Sequence, residues 1–176
     1  MTLIIDTFEM ARTGAARDGE QPVAELPRLA SLLHDTGGRL SWALRAWREP
    51  RPEGSSDDFM QLSLEGALSV ACVRCLGPLP VPLSIERSYR LVASEADAER
   101  LDLDDAQFDV IAGSRRFDLA ELIEDEAIMA LPQVPRHESC EMPLGAAADD
   151  AEPEPQRPNP FAVLQRLRGE GGGKPN

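Results

Sequence analysis

Three stretches of the chain alternate apolar and polar residues, and that two-residue period limits the fold more than any other feature. In "RLSWALRAW" the apolar set is Leu40, Trp42, Leu44 and Ala46. In "FMQLSLEGALSVAC" it is Met60, Leu62, Leu64, Leu68 and Val70, with Gln61, Ser63, Glu65 and Ser69 on the other side. In "LPVPLSIERSYRL" it is Leu79, Val81, Leu83, Ile85, Tyr89 and Leu91. Successive side chains of a strand point to opposite faces, so each stretch predicts a strand with one face on a core. Alternation this regular predicts an antiparallel sheet. Pro80 and Pro82 lack the N–H that a ladder uses, and so belong on an edge or at the start of their strand.

The turn between the second and third strands reads "CVRC". It uses two of only three cysteines; the third, Cys140, closes "RHESC", which also holds one of only two histidines. Zn²⁺ takes four soft or borderline ligands in a tetrahedron, and a C-x-x-C turn delivers two thiolates from one knuckle. "HESC" offers a second knuckle of similar reach. Cys72, Cys75, His137 and Cys140 therefore form a candidate closed Cys₃His set, structural rather than catalytic because four protein ligands leave no open position. Unbridged cysteines are the competing reading. A dithiol redox pair fits worse, because its low thiol pKa comes from a helix N-terminus and "LGPLPVP" cannot start a helix promptly. An odd cysteine count also argues against a disulfide framework.

"FDLAELIEDEAIMALP" is the clearest helix. Asp118 is its N-cap, Glu121 completes an acidic capping box, and Pro132 marks its end. Glu126 falls among Leu119, Leu122, Ile123 and Ala130, the apolar stripe. A buried carboxylate needs a partner, and Arg74 is the candidate; the alternative puts Glu126 at the stripe's edge, reaching water. Glu124 and Asp125 are expected on a solvated face. Earlier, "DTFEMAR" predicts a short helix and "AELPRLASLLHDTGG" a second, with Leu26, Leu29, Ala30 and Leu33 at helical spacing. His34 at its end is assigned no catalytic role. Residues 93–109 are acidic and poorly patterned, which predicts a loop with a helical turn.

These elements predict an α+β fold, an antiparallel sheet of at least three strands packed by one main helix, as a single domain over residues 1–144. Residues 145–157, rich in Pro, Ala and acids, are expected to be a disordered linker. Residues 158–176 are expected to hold a short C-terminal helix and a flexible tail. There Asn159 can cap, Pro160 suits the first helical position, and Phe161, Leu164 and Leu167 share a side, a candidate docking surface for a partner.

The net charge of −13 bears on function. Nucleic-acid binding draws on cations that displace counterions from phosphates, so a chain this acidic needs a local basic patch to grip RNA. Arg45, Arg48, Arg87 and Arg90 are the candidates for one. Basic proteins are the more natural partners, although acidity also serves solubility alone. No apolar run approaches membrane-spanning length and the N-terminus lacks a basic signal-peptide region, which leads us to expect a cytoplasmic protein with reduced thiols and no membrane association. No group of residues offers nucleophile, base and electrophile together, so neither catalysis nor a small-molecule substrate is expected.

Three pieces, "CVRCLGPLPVPL", "DLAELIEDEAIMALPQVPRHESC" and "RPNPFAVLQRLR", resemble in order and separation the YceD family, the large ribosomal RNA subunit accumulation proteins of bacteria and plastids, over about residues 60–168. The resemblance implies a role in synthesis, processing or stability of the 23S rRNA, and implies no particular reaction. Joined to the acidic composition, it leads to the expectation of a non-catalytic adaptor in ribosome biogenesis. Its partners would be ribosomal proteins or rRNA-processing factors, and structural Zn²⁺ its one expected cofactor. A direct RNA-binding module is the alternative reading; a thiol redox protein or a nuclease is the third.

Overall fold

The structure is a computed structural model, and it describes residues 3–102 and 107–140. In chain order the elements are β1 (Ile4–Ile5), α1 (Thr7–Thr13), β2 (Ala16–Pro22), α2 (Pro27–Ala30), β3 (Arg39–Pro50), β4 (Ser56–Ala71), β5 (Pro78–Val92), α3 (Glu95–Asp102), β6 (Asp109–Ala112), β7 (Phe117–Asp118) and α4 (Leu119–Met129). A five-stranded sheet runs β2-β3-β4-β5-β6, and β1 pairs with β7 beside it.

The three alternating stretches form the central strands, antiparallel and in the register their patterns require. Leu44 faces Leu62, Trp42 faces Leu64, and Leu64 in turn faces Ile85. Their apolar faces are buried together under α1 and α4, whose Met10, Leu119, Ile123 and Ala127 complete the core. Gly66 interrupts the apolar series of β4 because a Cβ there would lie 2.8 Å from the Leu40 side chain. Pro78, Pro80 and Pro82 share one parity at the start of β5, where β6 does not yet pair; their nitrogens face an open edge, so no ladder bond is lost.

Three departures from the sequence pattern have physical causes. β2 has no alternation to betray it: "ARDGEQP" is a polar edge strand paired only with β3. Its Gly19 lies against Trp42, whose ring would be 2.9 Å from any added Cβ. The acidic stretch after β5 holds an eight-residue helix, α3, which returns the chain so that β6 runs parallel to β5. The helix expected from Leu26 to Leu33 stops at Ala30. The chain is drawn off to β4, where the His34 N–H donates to the Ser69 carbonyl at 2.7 Å and Asp35 forms an isolated bridge with Ser69. Leu26 and Leu29 remain buried, while Leu32 is left exposed.

No helix among the described residues is long and apolar enough to cross a membrane. The expected linker, the C-terminal helix and its docking residues Asn159, Pro160, Phe161, Leu164 and Leu167 lie outside the described residues.

Candidate metal centre

The metal-ligand candidates begin where the core ends. The inward-facing positions of β4 are even-numbered, and the next even position after the strand is Cys72, whose side chain is fully buried. A tight turn follows. The Leu76 N–H donates to the Cys72 carbonyl at 2.8 Å, and the Cys72 N–H to the Gly77 carbonyl at 2.9 Å. Leu76 adopts a left-handed conformation, φ +59°, to close it, which brings Cys75 back beside Cys72 before β5 starts. The second knuckle follows α4. Pro132 and Pro135 keep that segment from continuing the helix, and the Val73 N–H donates to the Pro135 carbonyl at 2.9 Å, joining the two turns by their backbones.

This junction brings all four predicted ligands together. Cys72 Sγ lies 3.9 Å from Cys140 Sγ, and Cys75 Sγ lies 3.4 Å from His137 Nδ1. The four donor atoms all fall within 4.8 Å of one another. A tetrahedral site with Zn–S bonds of about 2.3 Å places its sulfurs about 3.8 Å apart, close to the 3.9 Å between Cys72 and Cys140. All three cysteines are free thiols. His137 is oriented from behind, with Nε2 3.1 Å from the Pro78 carbonyl. A carbonyl only accepts, so Nε2 carries the proton and Nδ1 turns its lone pair toward the thiols, an arrangement common in metal-binding histidines.

The thiols are electrostatically unequal. The Cys75 N–H lowers the Cys72 pKa to about 5 against the opposing effect of burial, helped by the N–H groups of His137 and Arg74. Burial and then the neighbouring Cys72 and Cys75 sulfurs push Cys140 up. One thiolate is therefore favoured and a second is resisted. A metal cation held by all three sulfurs would relieve that conflict, and the cluster could hold one.

Arg74 and Glu126 are not brought together. The Arg74 guanidinium donates to the Cys140 carbonyl at 3.3 Å, fastening the second knuckle. Glu126 faces β5, where Tyr89 and Arg87 project from the same side of the strand: the Tyr89 hydroxyl donates at 2.7 Å and Arg87 approaches to 3.4 Å. Burial, and then the adjacent carboxylate, raise the Tyr89 pKa well above its ordinary range. The partner is thus supplied by the sheet beneath α4 and not by the hairpin.

The expected solvated face of α4 is half wrong. Asp125 is exposed and pairs with Arg28 at 2.6 Å, but Glu124 is buried. Its carboxylate accepts from the backbone N–H groups of Arg28 at 2.6 Å and Leu29 at 3.0 Å, and from the Arg28 Nε at 2.8 Å. Burial alone would raise its pKa; the Leu29 amide and Arg28 together hold it below the ordinary carboxylate value. Glu124 is the residue that helical periodicity missed. It serves the uncapped start of α2, where Leu26 offers no side-chain cap.

Nor do the four candidate RNA-binding arginines form a patch. Arg48 is paired with Asp58 at 2.6 Å and Arg90 with Asp57 at 3.0 Å, while Arg87 faces Glu126. Arg45 lies over the Trp47 ring at 5.3 Å and bonds Gln61.

Comparison with known proteins gives a consistent result. Residues 60–168 match the family model described as large ribosomal RNA subunit accumulation protein YceD. A Haemophilus influenzae protein named large ribosomal RNA subunit accumulation protein YceD is 35% identical over 174 residues, covering 96% of each chain. No solved structure matches.

Proposed function

The chain belongs to the YceD family of large ribosomal RNA subunit accumulation proteins, and from that premise we propose that it supports 23S rRNA synthesis, processing or stability as a non-catalytic adaptor acting through basic protein partners in the cytoplasm. The observation that carries the adaptor reading is electrostatic. The chain has a net charge of −13, and three of the four arginines best placed to offset it locally are already matched to carboxylates. Long-range repulsion from polyphosphate and attraction for cationic proteins follow. The segment bearing Phe161, Leu164 and Leu167 is a further docking element in this proposal.

The metal in this reading is Zn²⁺, held by Cys72, Cys75, Cys140 and His137 Nδ1. When bound it supplies charge neutralisation and a cross-link. The donor set favours it: three thiolates and one imidazole suit zinc, whereas carboxylates and carbonyls would suit calcium or magnesium. The chain's own contribution is to aim the donors, through the N–H groups at Cys72 and the Pro78 carbonyl behind His137. Four protein ligands close the shell, which supports a structural role.

The test is a binding comparison at physiological salt. The purified chain is expected to bind purified basic large-subunit ribosomal proteins or processing factors and to leave naked 23S rRNA fragments free. Tight binding to the RNA with no partner present overturns the adaptor reading in favour of the direct RNA-binding one.

A further inference from the structure

A cleft of about 470 Å³ lies between β6 and α4 and shares no residue with the metal centre. Val110, Phe117 and Leu122 give it an apolar lining, and its rim carries Glu95, Asp118, Glu121 and Asp125 against a single cation, Arg116. Two of these acids are committed elsewhere: Asp118 caps α4, and Asp125 pairs with Arg28. The carboxylates of Glu95 and Glu121 have no hydrogen bond or ion pair among the described residues.

The strand on one side of the cleft is an edge. β6 ends the order of the sheet, with β5 on one flank only. Successive N–H groups of a strand point to opposite sides. The Gly113 N–H donates inward to the Val92 carbonyl at 2.8 Å, whereas the Val110 N–H is turned the other way and is taken by the Asp102 carboxylate at 3.1 Å. By that parity the Val110 carbonyl and both polar groups of Ala112 face outward. No described residue outside the sheet bonds them. Unpaired edges of this kind are templates for an added strand, and proteins that bind extended peptides use them.

We propose that this cleft is where a basic partner docks: a cationic segment in extended conformation adds as a short strand to β6, with side chains reaching Glu95 and Glu121 and the apolar lining of the same cleft. The proposal rests on the adaptor reading and names the surface that reading leaves open. Binding of this kind is weak and salt-dependent, because two or three main-chain bonds and two exposed carboxylates supply it.

The test uses the full chain, with Zn²⁺ supplied, and a blocked octapeptide of alternating Lys and Val as the probe. Three results are expected. The peptide binds and slows amide exchange at Ala112. N-methylation of alternate peptide residues abolishes binding in one parity and spares it in the other. The surface double variant Glu95→Arg/Glu121→Arg, which leaves the core untouched, weakens binding by about tenfold or more. Equal binding by the double variant, or equal loss from both N-methylated parities, overturns the proposal, since either points to diffuse attraction by the acidic chain. Slowing of Ala112 exchange by an RNA octamer in place of the peptide also overturns it. If the peptide fails while purified basic ribosomal proteins still bind, the cleft assignment alone falls; if neither binds, the adaptor reading falls with it.

Discussion

The two knuckles and helix α4 each gather ionisable side chains, but they satisfy them by different means. On α4 the three consecutive acids find partners within the protein: Glu124 in the amides of Arg28 and Leu29, Asp125 in the Arg28 guanidinium, Glu126 in Tyr89 and Arg87. At the knuckles three thiols and an imidazole converge on one point. Arg74, the cation between the first two cysteines, bonds the Cys140 carbonyl and no sulfur. The helix is finished by folding. The knuckles aim their donors at a position that an ion would complete, so one region is satisfied within the chain and the other would be satisfied from the solution.

The largest effect expected from that contrast is at Cys72. Cys72→Ser should lose the metal and lower stability by about 3 kcal/mol or more, read by chemical denaturation with zinc content measured on the same sample. Unchanged stability in this variant would mean that the knuckles close without help. Glu124→Gln comes next. It leaves buried amides and Arg28 poorly matched, at a cost of about 2 kcal/mol, with zinc content unaltered; a fall in zinc content would show that the regions are coupled.

The same variant gives a pH test. The Glu124 carboxyl is held below its ordinary value in the folded chain, so its contribution is present above the ordinary carboxylate range. It is lost as pH falls through the folded value. The stability gap between the parent chain and Glu124→Gln should therefore narrow on acidification below about pH 4.5. A gap independent of pH would remove the charge from the explanation. Smaller again is Tyr89→Phe, which removes the hydroxyl bonded to Glu126 but leaves Arg87 in place. About 1 kcal/mol is expected by equilibrium unfolding, and none at all would mean that Arg87 alone suffices. Last comes Arg74→Ala at the exposed knuckle surface. Within about 0.5 kcal/mol of the parent is expected, with a shorter half-time for metal loss to a chelator as the sharper readout.

What could be read from the sequence follows the same division. The central strands were legible because burial on one face imposes a period of two, and β4 carries it for most of its length. The convergence of the four candidate ligands could be suspected because every cysteine of the chain is used and the spacing within each pair is that of a knuckle. Their meeting was not written in any local pattern; it depends on α4 and the Val73–Pro135 backbone bond. β2 was hidden because an edge strand needs no apolar face, and β6 because a parallel partner has no hairpin turn to announce it. Glu124 was missed for a different reason. Periodicity assigns a charged residue to solvent unless its buried partners are known, and those partners are backbone amides nearly a hundred residues earlier. A search for helix starts without a capping side chain, such as that at Leu26, is the signal that would have pointed to it.

In the proposed reading the two knuckles close on one metal ion, and the hairpin end of the sheet depends on it. Zinc-edge X-ray absorption on the full chain purified with zinc, combined with elemental analysis, tests this most directly. One zinc per chain is expected, with three sulfurs at about 2.3 Å and one nitrogen at about 2.0 Å. A chain that carries no metal, or one whose metal has fewer than three sulfur ligands, would contradict it.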